Sequence, residues 1–235
     1  MSTSDALWAV VPVKLFAHAK QRLLPLLTAD ERAALSRAML GDVLAALTCT
    51  PALAGVVVMT GDTGAAAMAQ AAGACVLADT ENAGITAAVE QAARHLAGEG
   101  RHGMLVIPAD VPLITPADVG TIVNAHRAAP AVTLVAASMD GGTNALACSP
   151  PRALAFGFGD DSLRHHREAA RARGIEPQIL ALARVGHDID RPDDVATFLM
   201  HPSATRSYAC LRTLGIAERL GRAQRARCNE PCADY

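Results

Sequence analysis

Several features that mark other protein classes are missing from this chain of 235 residues. No apolar run reaches the roughly 18 residues of a membrane-spanning helix, and residues 1–5 are polar where a signal peptide would be basic and then apolar, so we expect a cytoplasmic protein. A formal net charge of −2 gives no positive field for nucleic acid or an anionic membrane. Six cysteines are too sparse for a secreted disulfide scaffold, which predicts reduced thiols.

Motifs of covalent and dinucleotide chemistry are missing as well. Gly-x-Ser-x-Gly does not occur, so nothing indicates a serine nucleophile. No glycine-rich run precedes either lysine, which excludes a Walker loop. Gly-x-Gly-x-x-Ser at 157–162 imitates a dinucleotide fingerprint, but it lies late in the chain without the expected strand and ribose-binding acid, so we reject a dehydrogenase.

Lysine is scarce, since 19 of the 21 basic residues are arginine. The two lysines, Lys14 and Lys20, are six residues apart and are followed by Arg22. Three cations in nine residues after a predicted strand would neutralise a triphosphate, for which a compact ammonium is suited. The alternative is that the two lysines are exposed by chance.

The chain alternates short apolar runs with alanine-rich helical stretches. At 51% apolar and 19% charged residues it has the composition of a soluble domain, not of a disordered chain, collagen or a coiled coil. Predicted strands are Leu7–Val13, Gly55–Met59, Cys75–Ala78, Met104–Ile107, Val132–Ala137 and Asn144–Cys148. Predicted helices are Ala29–Leu47, Gly64–Ala72, Ile85–Ala97, Ala117–Ala128 and Ser162–Arg173. This order predicts a three-layer α/β fold with a mostly parallel sheet, in which 144–148 is antiparallel because only a Gly-Gly-Thr turn precedes it.

The composition changes near residue 200. We expect a main domain over 1–200 and a tail over 201–235 that carries six arginines against three acids. Thr213–Arg227 could form a basic helix, exposed or packed on a partner. The Cys228 and Cys232 spacing lacks the second pair of a zinc site.

Three aspartates follow predicted strands or lie in extended segments, where ligands bind in open parallel sheets. Asp110 is flanked by prolines at the end of a buried strand. Asp188 and Asp190 are two residues apart and would face one side while Ile189 packs on the other. Two neighbouring anions need a cation between them, and Mg²⁺ suits carboxylate oxygens. The alternatives are that Asp110 or Asp190 caps a helix, or that 187–190 is an exposed turn.

Two glycine-containing loops are candidate anion sites. Gly141, Gly142 and Thr143 would form a nest of backbone N–H groups, although a plain hairpin turn explains the glycines equally well. Residues 156–162 precede a predicted helix whose N-terminus would attract an anion. The adjacent His165 and His166 are expected to be one surface and one packed imidazole.

In order along residues 7–199, these stretches resemble the guanylyltransferase family that makes the side-chain precursor of the deazaflavin coenzyme F-420. The resemblance lies in Val-Pro-Val-Lys at 11–14, Ala-Lys-x-Arg-Leu at 19–23, Pro-Ala-Asp-Val-Pro-Leu at 108–113, Gly-Gly-Thr-Asn-Ala-Leu at 141–146 and Asp-Ile-Asp-x-Pro-x-Asp at 188–194. It implies a Rossmann-like nucleotidyltransferase fold, GTP and Mg²⁺. It also implies a three-carbon phospho-acid acceptor, either phospholactate, phosphoenolpyruvate or 3-phosphoglycerate.

The resemblance also implies site residues. It places Asp110, Asp188 and Asp190 at the metal and Thr143, Gly159 and Ser162 at the acceptor. To the GTP site we assign Lys14, Lys20, Arg22 and Gly84, and we count Lys20 with the three aspartates as catalytic. Gly84 opens Gly-Ile-Thr-Ala-Ala where the family commonly has Gly-Leu-Asn-Ala-Ala, so Thr86 stands in place of the family's asparagine.

The acceptor loop departs from the family's Phe-Gly-Pro-Gly-Ser. Residues 156–162 are longer and more acidic, and their polar groups would suit a hydroxyl, so the sequence favours 3-phosphoglycerate. The expected reaction is direct attack of the acceptor phosphate on the α-phosphorus of GTP. The alternatives are nucleotidyl transfer to a molybdopterin or a sugar or polyol phosphate, and GTP binding without turnover. We expect small-molecule partners only, with the oligomeric state, a homodimer included, left open.

Overall fold

The computed structural model describes residues 6–139 and 141–221, which form a seven-stranded sheet in the order β3-β2-β1-β4-β6-β5-β7. Its strands are β1 Leu7–Val13, β2 Leu53–Thr60, β3 Cys75–Ala78, β4 Met104–Val106, β5 Ala131–Ala136, β6 Thr143–Ser149 and β7 Gln178–Leu180. Every paired neighbour is parallel except β6, which runs antiparallel to both β4 and β5. The predicted mostly parallel sheet with one antiparallel strand is confirmed.

Helices cover both faces of the sheet. They are α1 Ala29–Thr48, α2 Thr63–Ala71, α3 Ile85–Gly98, α4 Pro116–Ala125, α5 Ser162–Arg171, α6 Ala183–Gly186, α7 Pro192–Leu199 and α8 Arg206–Thr213. One core cluster joins the sheet to α1, α2 and α4, and a second joins the opposite face to α3 and α5. The chain therefore has the three layers that the alternation of elements predicts.

Local signals fix the helix starts. Thr28 and Glu31 form the predicted capping box of α1, and Thr115 with Asp118 forms another at α4. Asp190 does not cap α7, because the N-cap is Arg191 and the carboxylate of Asp194 accepts hydrogen bonds from the Asp190 and Arg191 backbone N–H groups. The side chain of Asp190 is thereby left to make other contacts.

The segment after residue 200 packs on α1. Asp42 accepts hydrogen bonds from the backbone N–H groups of Arg206 and Ser207, at 2.8 and 2.9 Å, and Arg219 forms a two-point ion pair with Glu31. The division of the chain at residue 200 stays a prediction. The end of the expected basic helix and the Cys228–Cys232 pair lie outside the described residues.

A third apolar cluster connects this C-terminal segment to the rest of the molecule. Leu211 and Ile216 are fully buried there against Leu23, Phe198 and Ile189. Among the residues described, no helix is both long and apolar enough to cross a bilayer.

Candidate active site

Charged side chains from distant parts of the chain meet at the carboxyl ends of β1 and β4. The Lys20 ammonium lies 2.5 Å from Asp110 Oδ2 and 3.4 Å from Asp190 Oδ1. Arg22 donates a hydrogen bond of 2.8 Å to Asp190 Oδ2. Asp110 and Asp190 follow Lys20 by 90 and 170 positions in the sequence, so only folding brings the three side chains together. We call Lys20, Asp110, Asp188 and Asp190 the lysine–aspartate cluster.

The backbone around Lys20 directs its side chain inward. Two short 3-10 turns, Phe16–His18 and Gln21–Leu23, flank it, and Lys20 itself is left-handed at φ 54° and ψ 42°. This conformation is uncommon outside glycine and is kept where surrounding contacts enforce it. Only 9% of the Lys20 side chain is exposed, so its ion pairs are screened little by water.

Ile189 anchors the two aspartates beside it. It is fully buried in the third cluster, and its backbone N–H donates to the Asp110 carbonyl at 3.0 Å. Asp188 accepts a hydrogen bond from Asn144 Nδ2 at 3.0 Å, while Asp190 faces Lys20 and Arg22. The packed isoleucine therefore holds the segment that presents both carboxylates.

Charge within the cluster is uneven. Burial alone would raise the pKa of Asp190, but Lys20 and Arg22 outweigh it and hold that pKa below its usual range. Burial raises the pKa of Asp188, and the neighbouring Asp110 carboxylate raises it further. Burial would lower the pKa of Lys20, but the aspartates, Asp110 first, raise it. The surroundings of Asp188 thus disfavour its charged form.

A pocket opens beside the cluster. Its walls include Lys14, Lys20, Gly84, Asp110 and Asp190. The remainder of the wall comprises Pro12, Val13, Phe16, Ala19, Ser36, Met39, Asp79, Asn82, Ile85, Ala88, Pro108 and Ala109. Gly84 has φ 99°, which favours glycine, at the N-cap of α3. Three of the residues expected to bind GTP, Lys14, Lys20 and Gly84, therefore line one pocket. The fourth, Arg22, is hydrogen-bonded to Asp190 in the pocket wall.

The expected acceptor residues form a second group at the start of β6 and α5. Ser162 Oγ donates to Thr143 Oγ1 at 3.4 Å, and the Ser162 backbone N–H donates to the Gly159 carbonyl at 3.2 Å. Thr143 Oγ1 is also 3.0 Å from Nδ1 of His166, which is fully buried. His165 is exposed, so one imidazole is on the surface and one is packed, as predicted.

The glycine loop before β6 is a hairpin connection. Gly141 and Gly142 join antiparallel β5 and β6, the Gly142 carbonyl accepts from Ala137 N–H, and the Gly141 carbonyl accepts from Leu163 N–H. The turn reading therefore accounts for both glycines. In the next loop, Asp161 accepts a hydrogen bond from Arg164 Nε.

The fit of a metal ion can be tested on these side chains. Within 6–139 and 141–221, no three His, Cys, Asp or Glu residues are placed to hold a metal ion together. The cation found between Asp110 and Asp190 is the Lys20 ammonium, where sequence reasoning had placed magnesium. Magnesium nevertheless needs only one or two carboxylates when substrate phosphates and water complete its shell. Asp110 and Asp188, whose carboxylates are close enough to interact electrostatically, fit that requirement.

Sequence reasoning assigned no role to two residues that contact the site. Asn144 lay within a quoted motif, but its bond to Asp188 depends on a contact 44 positions away. His166 was expected to be buried, yet no local pattern shows that Thr143 would be its partner. Asn144 could have been noticed as a polar residue that directly follows Thr143, which was assigned to the acceptor site.

Comparison with known proteins identifies the family. The family described as guanylyl transferase CofC like matches residues 7–230, which extends the resemblance beyond the limit of 199 inferred from motifs. A phosphoenolpyruvate guanylyltransferase of Roseiflexus castenholzii is 39% identical over 88% of this chain and 94% of its own length. A 2-phospho-L-lactate guanylyltransferase of Methanothermobacter thermautotrophicus is 32% identical over 88% of this chain and 90% of its own.

Solved structures show the same fold. A putative nucleotide-diphospho-sugar transferase of Desulfovibrio desulfuricans superposes with a TM-score of 0.72 at 18% identity, over 95% of this chain and 98% of its own. A nucleotidyl transferase of Methanothermobacter gives a TM-score of 0.62 at 17% identity, over 89% and 99%. Together the family match and these relatives show that the chain is a nucleotidyltransferase and belongs to the CofC-like guanylyltransferase family.

Proposed function

We propose that this chain transfers GMP from GTP to the phosphate of a three-carbon phospho-acid and releases pyrophosphate, as a step in making coenzyme F-420. The observation that carries the proposal is the buried Lys20 ammonium between Asp110 and Asp190 at the wall of a pocket that also includes Lys14 and Gly84. The family membership and the names of the relatives support the same reaction.

The reaction needs no covalent intermediate and no general base. The acceptor phosphate is already anionic near neutral pH, because its second pKa is about 6. One of its oxygens forms a bond to the α-phosphorus of GTP, while the bond from that phosphorus to the bridging oxygen of the β-phosphate breaks. The electron pair leaves with pyrophosphate. The task of the protein is to hold two mutually repelling anions in line.

Side chains in and beside the pocket would bind different parts of the two substrates. Lys14, Lys20 and Arg22 would contact the triphosphate and stabilise charge that develops on the leaving pyrophosphate. Asp110 and Asp188 would hold Mg²⁺, which when bound would neutralise the reacting phosphates. Asp190, placed at the metal by the resemblance, holds Lys20 and Arg22 in position.

The acceptor would bind at Thr143, Gly159 and Ser162. The relative from Roseiflexus castenholzii supports phosphoenolpyruvate as the first acceptor to test. The preference for 3-phosphoglycerate depended on acidic groups of the 156–162 loop, but Asp161 is paired with Arg164 and the Asp160 side chain is 89% exposed. That preference stays a prediction.

A pyrophosphate-release assay tests the proposal. GTP, ATP and CTP are each combined with phosphoenolpyruvate, 3-phosphoglycerate, 2-phospho-L-lactate, a sugar phosphate and molybdopterin in the presence of Mg²⁺, with Asp188→Ala as the matched variant. We expect release only from GTP with one of these acids, and only from the unmodified chain. Release with a sugar phosphate or molybdopterin instead would favour another nucleotidyltransferase. GTP binding without release in any combination would favour a nucleotide sensor.

A further inference from the structure

The hydrogen-bond partners of the buried His166 determine which of its two ring nitrogens carries the proton. Its Nε2 lies 3.2 Å from the Gly157 backbone N–H, which is only a donor, so Nε2 accepts. Burial, and then the neighbouring His165, lower the pKa of His166 to about 4, so the ring is neutral at pH 7. A neutral imidazole that accepts at Nε2 carries its proton on Nδ1.

That tautomer fixes the hydroxyl of Thr143. Nδ1–H of His166 donates to Thr143 Oγ1 at 3.0 Å, and Ser162 Oγ donates to the same oxygen at 3.4 Å. A hydroxyl accepts two hydrogen bonds and donates one. With both acceptor positions filled, the proton of Thr143 remains to be donated, and in the described part of the chain no protein acceptor is placed for it. The hydroxyl is thus a donor prepared for an anion.

The loop that carries this arrangement is tightly built. A Cβ at Gly157 would come within 2.4 Å of the exposed His165 ring, so a larger residue there would require that ring to move. The Phe158 backbone N–H donates to Thr86 Oγ1 in α3, which ties the loop to the nucleotide side of the sheet. The ring of His166 also packs edge-on against Phe158 at 4.8 Å.

We propose that His166 is a positioning residue for the acceptor: it orients the Thr143 hydroxyl to donate a hydrogen bond to the phosphate or carboxylate of the phospho-acid. The inference rests on the proposed function, since it needs the acceptor to bind at Thr143 and Ser162. His166 itself need not touch substrate.

Two substitutions at His166 separate its two hydrogen bonds. His166→Asn places an amide N–H near the former Nδ1 and keeps the donation to Thr143, whereas His166→Gln offers an acceptor to Gly157 and no donor at that position. We expect His166→Gln to raise the KM for the acceptor on the order of 10- to 100-fold, the usual effect of a lost hydrogen bond to a charged group. His166→Asn should raise it less than about threefold by the same reasoning, and the KM for GTP should not change in either variant.

His126 supplies a matched control. It is buried with a pKa lowered to about 4, chiefly by burial, and its ring nitrogens are 3.0 Å from the hydroxyls of Thr133 and Ser149. Ser149 ends β6 and Thr143 begins it, which places them about 20 Å apart along the strand. His126→Gln should therefore lower stability as His166→Gln does, but leave the KM for the acceptor unchanged.

A double-mutant cycle tests whether His166 acts through Thr143. On a Thr143→Val background, His166→Gln should have no further effect on the KM for the acceptor. If His166→Gln does not fold, the tautomer of His166 in the unmodified protein, measured by ¹⁵N NMR, tests the proposal in its place. Additive effects, equal losses in the Asn and Gln variants, or an equal rise in KM from His126→Gln would overturn the proposal.

The failure of this inference differs from failure of the proposed function. If the unmodified chain releases no pyrophosphate with any phospho-acid, the proposed function fails, whatever the tautomer. The tautomer is measured independently by ¹⁵N NMR of the imidazoles in the unmodified protein. A proton on Nε2 of His166 would refute the positioning argument even in an active enzyme.

Discussion

Replacing Lys20 by methionine tests the lysine–aspartate cluster most directly. The substitution keeps the length and apolar stem of the side chain and removes its charge from between Asp110 and Asp190. At an effective dielectric constant of about 20, unit charges separated by the observed 3.4 Å attract by about 5 kcal/mol before desolvation is counted. Burial of Lys20 opposes this attraction, and the carboxylates are 27% and 31% exposed, so we expect a net loss of about 1–2 kcal/mol in the free energy of unfolding at pH 7.

The loss should depend on pH with a definite sign. The pKa of Asp190 is lowered in the folded state, so its stabilisation is present above the ordinary carboxyl pKa of about 4 and is lost as the pH falls below it. The difference between Lys20→Met and the unmodified chain should therefore shrink from pH 7 to pH 3 in urea titrations. Equal unfolding free energies at pH 7, or a difference that grows in acid, would refute the ion-pair account.

Turnover gives a second readout of the same substitution. We expect Lys20→Met to lower kcat by about 100-fold or more, as for the loss of one preorganised charge at a reacting phosphate. Lys14→Met is the matched control for the stability measurement only, because Lys14 is exposed at the pocket wall and its removal should change stability by less than about 0.5 kcal/mol. Wild-type turnover in Lys20→Met would show that Lys20 has no catalytic role.

Three further predictions concern other parts of the site. Asp188→Ala should abolish pyrophosphate release but leave the melting temperature unchanged or higher, because burial and Asp110 make the charged form of Asp188 costly; unchanged turnover would remove its metal assignment. His126 and His166 have folded pKa values of about 4, below the ordinary 6.5, so their contribution to the free energy of unfolding is intact above pH 6.5 and is lost as the pH falls toward 4. Acid unfolding titrations should show a loss of up to about 3 kcal/mol for each histidine. A free energy of unfolding that stays constant over that range would contradict this account. Ile189→Ala should cost about 2–5 kcal/mol and also reduce kcat, whereas Leu211→Ala in the same cluster should cost similar stability with less effect on kcat; equal effects on kcat would contradict the anchoring role.

The sheet could be predicted from sequence because its strands are short, apolar and separated by clear helix signals. The Thr28 and Thr115 caps and the reversal of β6 are local features, and local chemistry determines them. β7, at Gln178–Leu180, is an edge strand of only three residues, and its apolar run continues from Ile179 to Ala183 at the start of α6, so the run indicated neither a strand nor a helix. The docking of α8 on α1 depends on Asp42 reaching residues more than 160 positions away, which no local pattern contains.

Sequence indicated which residues would lie near one another at the candidate site, but not their contacts. Strand ends located Asp110, and alternation placed Asp188 and Asp190 on one side of Ile189. The expected cation between Asp188 and Asp190 was Mg²⁺, which stays a prediction. Sequence could not show that the Lys20 ammonium lies between Asp110 and Asp190, because that position depends on a left-handed backbone and long-range packing. The Thr143–His166 pair is likewise a tertiary contact.

The first two residues of β6 belong to different halves of the site. Thr143 contacts the His166 group, and its neighbour Asn144 holds Asp188. Because the strand is fully buried, a displacement of one residue is transmitted to the other. On the proposed assignment, a single peptide unit joins a residue of the acceptor site to a residue that contacts the aspartates, so one rigid strand would set the separation of the two substrates.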